Sequence, residues 1–346
     1  MQLETYQYLS GGGWNSPLNE QLDTPSTLVL VFGSPNVRDI EMALGDVSRT
    51  FQQSVVMGCS TAGEIFHDLV CDHSLSVAVA CFAHTRLKAA GSAIASSEES
   101  FFAGQSLVKD LDAPDLRGVI ILSEGLVVNG SKLIEAFSPL AERGVVVTGG
   151  LAGDGSRFDQ TWTLCNENAT RNHVCAVGLY GDAIQISHGS RGGWDIMQSE
   201  LTVTHAIGNV LYEINDEPAL EVYKRLMGDE AAGLPSSGLR YPLALVDDEA
   251  EDGYTVRTIL AIDEVEQSIT FASEIPDEAK AHLMSANFSR LVEGARMAAH
   301  DATTDRDQNV PVLSIAISCL GRRLVLGEGC NEELQTVLNT LPANSH

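Results

Sequence analysis

Short apolar runs and amphipathic stretches alternate along the first half of this chain. Residues 27–33 (TLVLVFG) form a β-branched and leucine-rich run ending in a turn, which predicts a strand. The following NVRDIEMALGDVSRTF, residues 36–51, has helical periodicity with Asn36 as its N-cap. SVVMGCS, residues 54–60, predicts the next strand, so strand, helix and strand compose an α/β unit. Residues 74–82 (SLSVAVACF) and 86–94 (RLKAAGSAI) leave no room for a helix between them and predict an antiparallel pair. A strand at 117–125, a helix over 130–142 and a strand at 144–150 restore the alternation. HVCAVGLYGDAIQISHGSRGGW, from His173 onward, reads as two strands joined by a hairpin at residues 180–183.

The second half repeats the style. A helix is predicted over 217–228, strands over 242–247, 254–262 and 268–273, a long helix from Pro276 to about His300, and a last helix over 331–341. In the long helix Met284, Phe288, Leu291, Ala295 and Ala298 fall in one apolar stripe, with His282 and His300 on the opposite face. These elements predict an α+β, mixed α/β fold of two domains, whose mixed parallel and antiparallel sheets are covered by helices. The boundary is placed within residues 192–200, giving domains 26–195 and 196–346.

Composition narrows the function. With 346 residues, 44% hydrophobic and 20% charged, the chain has enough apolar material for two cores and does not read as disordered. Asp and Glu number 47 against 21 Lys and Arg, a net charge of −26, so nucleic acids and anionic membrane surfaces are repelled at long range. No apolar stretch approaches 18 residues, and Glu4 stands where a signal peptide carries a basic residue, so a cytoplasmic location is expected. Seven scattered cysteines with no CxxC suit reduced thiols better than a disulfide framework or a zinc ribbon.

The candidate chemistry lies in glycine-framed turns. Gly58-Cys59-Ser60-Thr61-Ala62 lacks the second glycine of an esterase elbow, and no histidine precedes residue 67 to serve Cys59 as a nearby base. The turn therefore reads as backbone amides and hydroxyls facing a pocket, with Glu64 at its close. GGLAGDGSR, with Gly150, Gly153 and Asp154, lacks the lysine of a phosphate-binding loop and reads as a place of close approach. His173 with Cys175, and Cys71 with His73, alternate on strand faces, but two ligands do not make a metal site. His188 opens HGSRGGWD, where glycines are expected to leave space around the ring, Arg191 supplies a cation and Trp194 an aromatic wall. A histidine so placed can ligate a cofactor iron. His205 follows an alternating strand, and His346, at the end of the sequence, is expected to fray.

Several of these motifs together resemble the FIST family, named for F-box and intracellular signal transduction proteins. They are GCSTAGEI (58–65), VTGGLAGDG (147–155), AVGLYGD (176–182), HGSRGGWD, GNVLYEINDEPALEVYKR (208–225), SANFSRLVEGA (285–295) and SCLGRRLVLG (318–327). The match runs in order from near Ser26 and implies an N-terminal and a C-terminal FIST domain. Within the family the chain looks like nitric-oxide sensing haem proteins of the NosP type. That likeness implies a non-catalytic sensor holding non-covalent haem b through His188 or, failing that, His205, and acting on a sensor histidine kinase or a diguanylate cyclase or phosphodiesterase. The wider family implies the alternative of an amino-acid or metabolite sensor without iron, its ligand held by Gly58, Cys59, Ser60, Thr61, Glu64, Gly150, Gly153 and Asp154. An enzyme using Cys59 is the third reading. Relatives continue past the last helix into a closing strand where this sequence has LPANSH, which leads one to expect an unpaired edge in the C-terminal domain.

Overall fold

The computed structural model describes residues 1–166, 168–197, 200–248, 250, 253–304 and 310–345. Residues 198–199 of the expected boundary, and His346, lie outside the described residues.

The N-terminal half stacks two sheets face to face. The first has six strands in the order Thr163–Cys165, Val55–Ser60, Thr27–Gly33, Ser74–Cys81, Gln2–Leu9 and Gly13–Trp14; the second has four, Val146–Leu151, Leu116–Ser123, His173–Tyr180 and Arg86–Ala93. Each contains one parallel pair, Thr27–Gly33 with Val55–Ser60 and Leu116–Ser123 with Val146–Leu151. The run TLVLVFG is apolar without a break because both of its faces are covered. Leu28 and Leu30 enter the layer between the sheets with Met57, Leu122 and Val177. Val29 and Val31 pack outward against Ile40, Ala43 and Val47. Each such side chain taken wholly from water contributes about 1.5–3 kcal/mol. Ser100–Leu111 and the short helices Gly130–Glu135 and Ser138–Ala141 cover the outer face of the second sheet.

The C-terminal half is built on an antiparallel sheet. Ala219–Met227 packs into a core with Leu243, Ile259, Phe271 and Leu283. Helices Phe288–Thr303, Leu320–Leu326 and Cys330–Thr340 gather over a second cluster formed by Trp194, Ala244, Met284 and Leu291. The α+β class with mixed sheets therefore holds. Among the described residues no helix is long and apolar enough to cross a membrane.

Several local expectations are corrected. Residues 74–82 and 86–94 do not pair: both edges of Ser74–Cys81 are taken by Gln2–Leu9 and Thr27–Gly33, so the chain turns the corner and Arg86–Ala93 joins the other sheet. The hairpin at 180–183 is absent for the same reason, since His173–Tyr180 already lies between Arg86–Ala93 and Leu116–Ser123. The long helix from Pro276 is a strand, Lys280–Ala286, followed by the helix Phe288–Thr303, whose first turn is capped by the Asn287 side chain accepting from the Arg290 amide. Met284 and His282 therefore lie on a strand. Asn36 makes no side-chain cap hydrogen bond, and the first long helix starts only at Glu41. The helix over 130–142 is broken in two at residues 136–137.

Candidate functional site

The carboxyl ends of the two parallel pairs meet, and the turns after them interlock. In open α/β sheets this end of the strands is where ligands bind, because the turns diverge there. The Thr61 amide donates to the Gly33 carbonyl at 2.9 Å, the Gly153 amide to the Ser60 carbonyl at 2.9 Å, and the Ala152 amide to the Ser123 carbonyl at 2.7 Å. Gly153 allows this close approach, since a Cβ there would come 3.3 Å from the Ala62 nitrogen, a tight contact. The turn 58–64 and the loop 149–155 are thus brought together.

Their polar side chains bind the scaffold first. Ser60 Oγ accepts from the Trp162 amide, and the Trp162 indole donates to the Ser34 carbonyl at 3.0 Å. Asp154 accepts from the amides of Asp159 and Gln160. Glu124, outside the expected site residues, accepts from the amides of Leu126, Val127 and Val128. Glu64 is 1% exposed and accepts from Thr61 Oγ1 at 2.7 Å and from both the amide and the hydroxyl of Ser74. Burial pushes its carboxyl above the ordinary range, and the hydrogen bonds from Ser74 and Thr61 oppose that rise. Gly58 sits inside the strand, where a Cβ would lie 2.1 Å from the Val31 carbonyl oxygen. Cys59 faces the layer between the sheets, and burial pushes its thiol up to about 12. A thiol so held is protonated at neutral pH and a poor nucleophile.

The C-terminal half closes over these turns. Arg323, on the helix Leu320–Leu326, donates to the Ala62 carbonyl and makes a two-pronged pair with Asp72 at 2.8 and 2.7 Å. The hydrogen bond from Arg323 holds the Asp72 carboxyl below its usual range. Ile317 would lie 3.4 Å from a Cβ on Gly150, and the Gln335 amide donates to Asp68 at 3.1 Å. At the next turn the Gly130 amide donates to the Ala272 carbonyl and Lys132 pairs with Glu274 at 3.3 Å. A seam between the halves therefore runs along the strand ends. Arg323 and Asp72 were not among the expected site residues; the paired arginines of SCLGRRLVLG were their one trace in the sequence. Two open cavities of about 410 and 370 Å³, both bordered by Arg117, lie at the opposite, amino-terminal ends of the second parallel pair.

The histidine run is elsewhere, and it is closed. His188 is exposed. A Cβ on Gly189 would stand 2.0 Å from the Ala298 carbonyl oxygen, and one on Gly193 2.6 Å from that of Arg290, so these glycines let the chain lie against the helix Phe288–Thr303. The expected space is filled. Arg191 pairs with Asp301 at 2.7 Å, and Trp194 is 8% exposed within the second cluster of the C-terminal half. His205 is exposed beside Tyr212, with ring centroids 5.3 Å apart. Among the described residues no group of three or more His, Cys, Asp or Glu side chains could hold a metal ion. A haem needs a slot for its ring and free cations for its propionates; His188, Arg191 and Trp194 do not fit that need as they stand.

Comparison with family models matches the FIST N domain over residues 27–217 and the FIST C domain over 219–346. The chain belongs to the FIST family. A comparison with curated proteins found no match. FIST domains are sensory, small-ligand-binding domains of signal-transduction proteins.

Proposed function

We propose that this FIST protein is a cytoplasmic, non-catalytic sensor that takes a small carboxylate-bearing metabolite, amino acids included, into the seam between its halves. The observation that carries this reading is the reach of Arg323 across the seam to Ala62 and Asp72. An acidic ligand competes with Asp72 for the guanidinium, which favours bidentate carboxylates. Its binding changes the contact between the halves, and a partner reads that change. Thermal-shift measurements against a metabolite panel test this. A carboxylate should raise Tm in the wild type and not in Arg323→Ala; an equal shift in both, or no shift from any panel member, overturns it.

The resemblance to NosP-type proteins supports a finer reading, in which the ligand is haem-bound nitric oxide and the partner a sensor histidine kinase or a cyclic-di-GMP enzyme. The filled surroundings of His188 favour the metal-free form. A Soret band in protein supplied with haemin, lost in His188→Ala, reverses that preference.

A further inference from the structure

Away from the seam, three reactive side chains converge where the two N-terminal sheets meet. Gly91, on Arg86–Ala93, is the cross-strand neighbour of Cys175. A Cβ on Gly91 would lie 2.5 Å from Cε1 and 3.1 Å from Nε2 of His173, and 3.5 Å from Sγ of Cys165. The missing side chain leaves the space that imidazole and thiol share. Cys175 stands two residues past His173, so both project from one face of the strand. Its thiol is hydrogen-bonded to that of Cys165, whose own Sγ donates to the Ala90 carbonyl at 3.4 Å. Cys165 and His173 are half-buried, while Cys175 is fully buried.

We propose that Cys165, His173 and Cys175 form a thiol-oxidation site, at which hydrogen peroxide joins the two cysteines in a disulfide. Cys165 is the thiol that peroxide reaches, His173 the base beside it, and Cys175 the second thiol. In the first step the imidazole takes the Cys165 proton and the sulfur attacks one peroxide oxygen. The O–O bond breaks, a sulfenic acid forms, and the departing hydroxide recovers the proton from the imidazolium and leaves as water. In the second step the Cys175 sulfur attacks the sulfenic sulfur. The S–O bond breaks, the S–S bond forms, and the second hydroxide leaves as water with the Cys175 proton. The two thiols lose two electrons and the peroxide gains them.

The surroundings sort the roles. Burial holds the His173 pKa below its usual value, so the ring is a free base at neutral pH. The hydrogen bond to Cys165, then burial, holds the Cys175 thiol protonated, which leaves the first attack to Cys165. Cys165 belongs to the edge strand of the first sheet and Cys175 to an inner strand of the second, so the bond would staple the sheets together. The strand of Cys165 follows directly on Trp162, which supports Ser60 and Ser34 at the seam.

The test is to treat the reduced full chain with hydrogen peroxide, quench in acid, alkylate and map by mass spectrometry. The expected result is a 165–175 cross-link, lighter by two hydrogens and reversed by dithiothreitol. Cys175→Ser should accumulate a sulfenic acid at Cys165 that dimedone traps, and His173→Gln should slow the first step by about 100-fold, the lower end of what a positioned base supplies. Oxidation confined to Cys71 or Cys319 in the wild type overturns the proposal, whether or not the variants fold. So does dimedone trapping at Cys165 that is equal in wild type and Cys175→Ser.

Discussion

The turn at 58–64 and the run at 188–194 are both glycine-rich, and in the sequence they look alike. In the turn, Gly58 lets one strand lie close against another, while the residues that follow tie strand ends to each other and to the C-terminal half. In the run, Gly189 and Gly193 fit the backbone against a helix, and Gly192 offers its carbonyl to Arg322. One glycine cluster builds a junction that faces a seam; the other seals a gap. A glycine marks close approach, and only the approaching partner decides whether a pocket results.

The sharpest way to break this contrast is to loosen the sealed run. Arg322 is buried, with its guanidinium held by Glu333, the Gly192 carbonyl and the Leu291 carbonyl. Arg322→Ala strands the buried Glu333 carboxylate and should cost about 3–5 kcal/mol in chemical denaturation. A loss below about 1 kcal/mol would mean that the run is not anchored as described. Next comes Gly193→Ala, which puts a Cβ 2.6 Å from the Arg290 carbonyl at a φ of +90°. About 1–3 kcal/mol should be lost, whereas His188→Ala, an exposed change, should stay within about 0.5 kcal/mol. Equal costs for the two would show His188 to be held in a way its exposure denies.

The smallest effect belongs to the seam. Asp72 is 57% exposed, so water screens its pair with Arg323, and Asp72→Asn should lower stability by less than about 1 kcal/mol at neutral pH. The sign follows from the depressed carboxyl: its contribution is present above the ordinary carboxylate pKa and is lost as pH falls through the lowered value. The Tm difference between wild type and Asp72→Asn should therefore close below about pH 3.9. A difference that persists in acid would mean that Asp72 acts through something other than its charge.

The periodicity of the chain determined most strands, the α+β class and the turns at 58–64 and 149–155, because apolar alternation and glycine punctuation are local properties. It misassigned Lys280–Ala286 as helix because Met284, seven residues before Leu291, falls in its 3.6-residue register, and only Asn287 marks the break. It passed over Gln2–Leu9, although Tyr6 and Tyr8 enter the core on one face. Partnership was beyond it. Whether Ser74–Cys81 pairs with the strand that follows depends on which edges are already taken, and whether His188 faces a cavity depends on a helix more than a hundred residues later. The reach of Arg323 to Ala62 spans 261 positions. Local sequence carries the preference of each segment for its own shape, and only the packed structure decides what that shape is pressed against.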